Sequence, residues 1–204
     1  MIKTCIWCRG TEENRLFKKR AHTFPKSLDG KNICENVCDD CNYYFGSPTT
    51  DGPSVEIVLK EALNVSKYFL LNIIGKPPRN RYKSELFKFD LTKLTITPRF
   101  IYNKRNFQAY AGRQLRRGLF KVFLEERERQ RGDALDERFN FIREFARYNL
   151  EDFPVYWFKP KFDMVMFQTG DTLKPQIRFT KSSDELDEKY RMYEYPIVGH
   201  YLGV

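Results

Sequence analysis

Residues 21–42 read AHTFPKSLDGKNICENVCDDCN and carry the most specific pattern in the chain. It ends in the knuckle Cys38-Asp39-Asp40-Cys41, and a second knuckle, Cys5-Ile6-Trp7-Cys8, stands near the N-terminus. Two cysteines separated by two residues can chelate one ion from a tight turn, and four thiolates suit tetrahedral zinc. The paired knuckles therefore predict one structural zinc ion, held by Cys5, Cys8, Cys38 and Cys41.

Two other readings of these cysteines are buried thiols without a metal and a redox disulfide between Cys5 and Cys8. The disulfide lacks the strand-to-helix context that such a motif requires. The chain has five cysteines in all, and an odd number argues against a closed disulfide framework. Cys34 is left over, and we expect it to be a small buried side chain rather than a ligand.

The N-terminal sequence MIKTCIWCRG lacks the apolar stretch of a secretory signal. No apolar run reaches the length of about 20 residues that a membrane span requires. Clustered cysteines in a reducing compartment hold metal more often than they form disulfides. These features predict a cytoplasmic location and no membrane partner.

Between the knuckles, the residue pattern predicts a β-hairpin that leads into a helix. Short strands are expected over 21–24 and 31–34, with a turn at Asp29-Gly30 and a helix that opens near Cys38. His22 then lies on the first strand. Asn42 lies on the helix, one residue after the last cysteine.

This arrangement resembles the HNH endonuclease superfamily, which has a ββα-metal fold, in the branch where four cysteines bind structural zinc. The resemblance covers residues 4–46 and is carried by Cys5, Cys8, His22, Pro25, Ser27, Leu28, Gly30, Cys38, Cys41 and Asn42. It implies that His22 is the general base that activates water. It also implies that Asn42 is a ligand of a catalytic divalent cation, Mg²⁺ or Mn²⁺. A further asparagine braces the hairpin in this family, and Asn32 and Asn36 are both candidates.

The chemistry of phosphodiester hydrolysis is compatible with these residues. An imidazole with an ordinary pKa of about 6.5 is a suitable base at neutral pH. A hard cation stabilises the charge that develops on the phosphate and the leaving oxygen. His200, the other histidine of the chain, has no motif around it, and we expect a structural or surface role for it.

One position departs from the family pattern. The residue before the histidine is usually an acidic or histidine metal ligand, and here it is Ala21. The neutral amide of Asn42 alone would bind a hard divalent cation only weakly. Three explanations are open: a carboxylate from Asp29, Asp39 or Asp40, a cation held mainly by DNA phosphates, or an inactive site that keeps only the zinc scaffold.

The rest of the chain predicts a second, larger segment after a Gly/Pro/Thr cluster at 46–53. Helices are expected over 54–71, 107–131 and 136–148, with a break at Gly132-Asp133. A strand hairpin is expected over 86–100, a basic loop over 75–81, and further strands over 153–167, 176–180 and 195–202. The predicted class is α+β: a zinc-stabilised, treble-clef-like ββα-metal domain over 1–50 and a mixed helix–strand domain over 54–204.

The chain is basic, with 36 Lys and Arg against 27 Asp and Glu, a net charge of +9 and a pI near 9.3. Residues 1–51 nearly balance their charges, so the excess lies in the second segment. Cations interleaved with aromatic residues there predict contacts with the DNA backbone through Arg79, Arg81, Lys104, Arg105, Arg113, Arg116 and Arg117. A solvated face over an aromatic core is the alternative. The charges of 125–131 are expected to form ordinary ion pairs on a helix surface.

These expectations favour a divalent-metal-dependent HNH-type endonuclease that cleaves DNA. A second hypothesis is a catalytically inactive, zinc-containing nucleic-acid-binding module, for which Ala21 is the main support. A third is a regulatory or interaction subunit, in which the basic segment binds a protein partner or a second copy of the chain.

Overall fold

The computed structural model describes residues 2–28, 30–73, 84–90, 93 and 95–155. The predicted loop over 75–81, most of the strand expected over 153–167 and the strands expected over 176–180 and 195–202 lie outside these residues. The described part is a mixed α+β structure with four α-helices and two small antiparallel sheets. None of the described helices is long and apolar enough to cross a bilayer.

The first sheet is the predicted hairpin between the knuckles. It consists of β1 (Ala21–His22) and β2 (Ile33–Cys34), with Ala21 opposite Cys34 and His22 opposite Ile33. A short 3₁₀ helix, Lys26–Leu28, lies in the connection. The strands are shorter than predicted, because the connection takes up residues on both sides. The helix α1 follows as Asp39–Gly46 and carries Asp39 and Asp40 in its first turn, where the helix dipole favours acidic side chains.

The helix α2 spans Val55–Ile73 and begins where the sequence predicts. The Ser54 hydroxyl accepts a hydrogen bond from the Ile57 N–H at 3.1 Å, so Ser54 acts as its N-cap. The strands β3 (Phe87–Asp90) and β4 (Thr95–Pro98) form the second predicted hairpin, in which Phe89 pairs with Ile96. A 3₁₀ helix, Phe100–Asn103, leads into the next helix.

The helix α3 spans Arg105–Arg131 and is the longest described element. It stops at Gly132, which has a left-handed conformation (φ 68°) and donates its N–H to the Glu128 carbonyl at 2.8 Å. A 3₁₀ turn, Glu137–Phe139, and the helix α4, Asn140–Ala146, complete the described fold. The single helix predicted over 136–148 is therefore divided into two pieces.

One hydrophobic cluster joins the N-terminal segment to α3 and α4. Trp7 and Phe45 pack in this cluster with buried residues of the second segment, namely Val55, Phe120, Phe123, Leu124, Ala134, Phe139, Ile142, Phe145 and Ala146. Phe24 packs separately with Leu59 of α2 and Val122 of α3. The Gly/Pro/Thr cluster at 46–53 is a break in the sequence, but the cores on either side of it are continuous.

The acidic residues near the end of α3 correct a sequence expectation. We expected Glu125 and Glu126 to form ion pairs on the helix surface, but both residues are fully buried. Glu126 contacts the first hairpin, whereas Glu125 contacts Trp7 and Lys121. Arg129 forms one of the expected pairs, with Glu126, whereas Arg127 pairs with Asp133 beyond the end of the helix.

Candidate metal centre and hairpin site

The four knuckle cysteines come together, as predicted. The Sγ atoms of Cys5, Cys8, Cys38 and Cys41, which we call the four-cysteine cluster, all lie within 4.8 Å of one another. The Sγ atoms of Cys8 and Cys38 are 3.7 Å apart. Two thiolates on one tetrahedral zinc ion with Zn–S bonds of about 2.3 Å would be separated by about 3.8 Å. The cluster can therefore bind a metal ion such as zinc.

The backbone around the cluster forms tight turns. The Cys5 N–H donates to the Gly10 carbonyl at 2.8 Å, and Arg9 N–H donates to the Cys5 carbonyl at 2.9 Å. Arg9 has a φ of 59°, in the left-handed region, which closes the first knuckle. The second knuckle is joined to the first by the Cys38 N–H, which points at the Cys5 Sγ at 3.4 Å.

Cys34 and the cysteines of the four-cysteine cluster lie in different surroundings. A hydrogen bond between the Cys5 and Cys41 thiols lowers the pKa of Cys5 and raises the pKa of Cys41, so this pair shares a proton. Cys34 does not belong to the cluster and is buried opposite Ala21. Burial, followed by the nearby Glu125 carboxylate, raises the pKa of the Cys34 thiol. Its predicted role as a small buried side chain agrees with this placement.

Arg147, beyond the end of α4, packs against the four-cysteine cluster. Its Nε donates to the Cys41 Sγ at 3.4 Å, and its guanidinium lies 3.9 Å from the centre of the Tyr44 ring. A cation that donates to a thiolate offsets part of the negative charge of a four-thiolate site and fixes the orientation of the ligand. Arg147 therefore connects the four-cysteine cluster to the helical part of the chain.

His22 is exposed only in part, and both of its ring nitrogens are inaccessible to solvent. Neither nitrogen has a hydrogen-bond partner among the described residues. Burial and the positive charges of Lys26 and Lys121 lower the pKa of His22, whereas the Gly30 backbone and the Glu56 carboxylate oppose this decrease. The lowered pKa favours the neutral imidazole, and no described residue accepts from or donates to its ring nitrogens within hydrogen-bond geometry.

A set of buried side chains on α3 holds the backbone of the hairpin. The fully buried Lys121 ammonium donates to the His22 carbonyl at 2.9 Å and to Glu125 Oε2 at 2.9 Å. It also forms an ion pair with Glu56 Oε1 at 3.1 Å. Burial lowers the pKa of Lys121, but the carboxylates of Glu125 and Glu56 outweigh it and hold the pKa above its usual value.

Glu126 binds both sides of the hairpin. One of its oxygens accepts from the Thr23 hydroxyl at 2.7 Å and from the Asn32 amide at 2.9 Å. The Asn36 amide donates to Glu128 at 2.6 Å, so both candidate bracing asparagines contact α3. We call Lys121, Glu125 and Glu126 the α3 brace. The sequence contains a signal for it, because charged residues at 121 and 125 interrupt an apolar run at the helical i, i+4 spacing.

Ala21 is buried in the hydrophobic cluster next to Cys34. The side chain of residue 21 therefore points into the core, while His22 follows on the other side of the strand. Of the carboxylates considered as replacements, Asp39 accepts from the Lys19 N–H at 2.8 Å and Asp40 pairs with Arg15 at 2.9 Å. Asp29 lies outside the described residues. Asn42 is half-buried in the first turn of α1.

The residues predicted to bind DNA are placed differently from one another. Lys104 and Arg105 are exposed at the start of α3. Arg116 binds both carboxylate oxygens of Asp152, and Arg113 donates to Asn149 and to the Glu151 carbonyl. Arg79 and Arg81 lie outside the described residues.

Arg117 corrects the prediction. It is 4% exposed, and its guanidinium donates to the Ala146 carbonyl and the Gln114 and Tyr44 side chains. Burial lowers the pKa of Arg117. This arginine holds α3 to α4 and α1, so it is not available to a phosphate at the surface.

Comparison of the chain with models of known protein families, with curated proteins and with solved structures gives no match.

Proposed function

We propose that the protein is a metal-dependent phosphodiesterase of the HNH type that cleaves DNA, with His22 as the general base. The observation that carries the proposal is the environment of His22: an imidazole ring whose two buried nitrogens have no hydrogen-bond partner among the residues that the structure describes. A buried polar group without a partner lowers stability, so such a group calls for a role outside the fold. The hairpin–helix order and the four-cysteine cluster support the same proposal through their resemblance to the ββα-metal, treble-clef-like unit.

The proposed role of each residue follows from its placement. Cys5, Cys8, Cys38 and Cys41 would hold structural zinc, and a reducing compartment such as the cytoplasm would keep these thiols free of disulfides. The amide of Asn42 would contribute to a site for Mg²⁺ or Mn²⁺, and a cation bound there would stabilise charge on the phosphate oxygens. Lys121 fixes the His22 backbone. The lowered pKa favours the neutral imidazole, which as the base would accept a proton from a water that reaches its ring when substrate binds.

Cleavage of supercoiled plasmid in the presence of Mg²⁺ or Mn²⁺ tests this proposal. We expect His22→Ala to reduce the rate by about 10²–10⁴-fold, which is the usual contribution of a general base. His200→Ala is the matched control and should cleave at the parental rate. Cleavage by His22→Ala at the parental rate would show that another group activates the water.

A second candidate function is an inactive nucleic-acid-binding module that keeps the zinc scaffold. The burial of Ala21 favours it, because no carboxylate precedes His22 and the side chain at this position lies in the core. Ala21→Glu is therefore a poor way to restore a ligand, since it would bury a charge beside Cys34. Asn42→Asp adds a carboxylate at a half-buried position instead. Binding without cleavage by the parent, with cleavage gained in Asn42→Asp, would identify the inactive module.

A further inference from the structure

Five exposed cations surround the strand that carries His22. Lys18, Lys19 and Arg20 directly precede β1, and Lys26 and Lys31 lie in the connection to β2. None of the five forms an ion pair with a carboxylate of the described residues. We call this set the basic hairpin surface. It contrasts with Arg113 and Arg116, whose positive charges face Asp152.

The basic hairpin surface lies close to the His22 imidazole. The charge of Lys26 is, after burial, the largest cause of the lowered pKa of His22. Lys31 is two residues before Ile33, which pairs with His22 across the hairpin. Unpaired like charges repel one another, and a polyanion that binds along them removes this repulsion and releases counterions.

An exposed aromatic ring adjoins these cations. Tyr43 is 67% exposed and follows Asn42 on α1. The Lys19 ammonium lies 5.9 Å from the centre of the Tyr43 ring. Cations that follow a nucleic-acid backbone, combined with an exposed aromatic ring, form the usual platform for an unpaired strand. A paired base presents no free face to such a ring.

We propose that the basic hairpin surface binds the sugar–phosphate backbone of single-stranded nucleic acid, with an unpaired base stacked on Tyr43. This inference deepens the proposed function, on which it rests for the role of His22. It places the contact with the substrate on the hairpin itself, rather than on the basic second segment that the sequence favours. The strand is held at the residues that precede and follow His22.

Fluorescence anisotropy with labelled oligothymidylate, measured with the full zinc-loaded chain and no other divalent cation, tests the surface separately from cleavage. Each phosphate contact on a single strand contributes about 0.7 to the slope of log affinity against log salt. Replacing Lys18, Lys19 and Arg20 by Gln together should therefore reduce the slope by about 2. The matched control replaces the exposed cations Lys88, Lys93 and Arg131 by Gln, none of which belongs to the predicted DNA contacts, and should leave the slope unchanged. A slope that falls equally in both triple variants, or only in the control, would overturn the proposal.

Tyr43→Ala tests the stacking contact. One base–aromatic stack contributes about 1–3 kcal/mol, so this variant should bind oligothymidylate about fivefold more weakly or worse, with an unchanged salt slope. Tyr148→Ala removes another exposed ring and is the control. Equal loss of affinity for a duplex would contradict the assignment to an unpaired base. If the parent binds through the hairpin with the expected salt dependence but does not cleave plasmid, only the proposed nuclease activity is refuted. If the parent cleaves plasmid and the hairpin triple variant binds as the parent does, only the proposed role of the basic hairpin surface is refuted.

Discussion

The four-cysteine cluster and the first hairpin lie in the same short segment, yet different forces hold them. The four cysteine sulfurs converge from two knuckles, and this set of possible metal ligands includes no residue of the second segment. The hairpin has only two residues in each strand, and buried side chains of α3 hold it from outside. A metal ion can therefore organise the first region locally, while the second region depends on the docking of a distant helix.

Removal of the metal should have the largest effect. Structural zinc contributes about 10–16 kcal/mol of binding free energy in small zinc domains, and here the cluster shares a hydrophobic core with α3 and α4. We expect a chelator to abolish the cooperative thermal transition of the whole described fold, as monitored by far-UV circular dichroism. Elemental analysis should give one zinc per chain, and Cys34→Ala should retain it. A chelated protein that keeps its helices and its transition would show that the second region folds by itself.

Loss of the α3 brace should have the next largest effect. Lys121→Met leaves the buried Glu125 without its cation, which costs about 3–5 kcal/mol, and also removes the partner of the partly exposed Glu56. The measurement is urea unfolding of the zinc-loaded protein. Arg105→Met removes an exposed cation from the same helix and should change stability by less than about 0.5 kcal/mol. Adding Glu125→Gln to Lys121→Met should recover part of the lost stability. Equal free energies of unfolding for Arg105→Met and Lys121→Met would contradict the stabilising role of the α3 brace.

Arg147→Gln should weaken the metal site without unfolding the hairpin. Residues that orient metal ligands usually change metal affinity by about 10–100-fold, and Arg147 donates to Cys41. Competition with a chromophoric chelator measures this effect. Arg116→Gln, which loses only the exposed pair with Asp152, is the control and should bind zinc like the parent. An unchanged affinity in Arg147→Gln would mean that the contact with Cys41 is incidental.

The titration of His22 should show the smallest effect. Its pKa should lie below the ordinary value of about 6.5, mainly because of burial. The folded chain then binds fewer protons at His22 than the unfolded chain. The contribution of His22 to the free energy of unfolding is therefore fully present above the unfolded pKa and is lost as the pH falls from the unfolded pKa through the folded pKa. NMR titration measures this directly, since the chain has only two histidines and His200→Gln assigns the signals. Lys26→Met should raise the pKa and Glu56→Gln should lower it. A pKa at or above the ordinary value would mean that the imidazole is solvated.

The sequence predicts local features well because their causes are local. The Cys-x-x-Cys spacing predicts the four-cysteine cluster, and Gly132 predicts the end of α3. The hairpin between the knuckles and the one at β3 and β4 follow from alternation and turn residues. Each of these signals lies within a few residues of the feature that it specifies.

The contacts between distant residues could not be predicted in the same way. Lys121 meets His22, and Glu126 meets Thr23, only because α3 packs across the hairpin. Arg117 shows the same limit, since an arginine in a basic stretch looks exposed until α4 and Tyr44 cover it. Charge in a sequence predicts a surface unless another part of the chain supplies a buried partner.

Trp7 gives the molecule an internal optical probe. It lies between Cys5 and Cys8, is 1% exposed, donates its indole N–H to Glu125 at 3.2 Å and meets the Phe45 ring edge-on. The chain has only one other tryptophan, Trp157, so Trp157→Phe leaves a single emitter that touches both the metal knuckle and the helix. A red shift of its emission on chelation would report opening of the first knuckle, and a red shift in Lys121→Met would report undocking of α3. One fluorophore therefore monitors both regions.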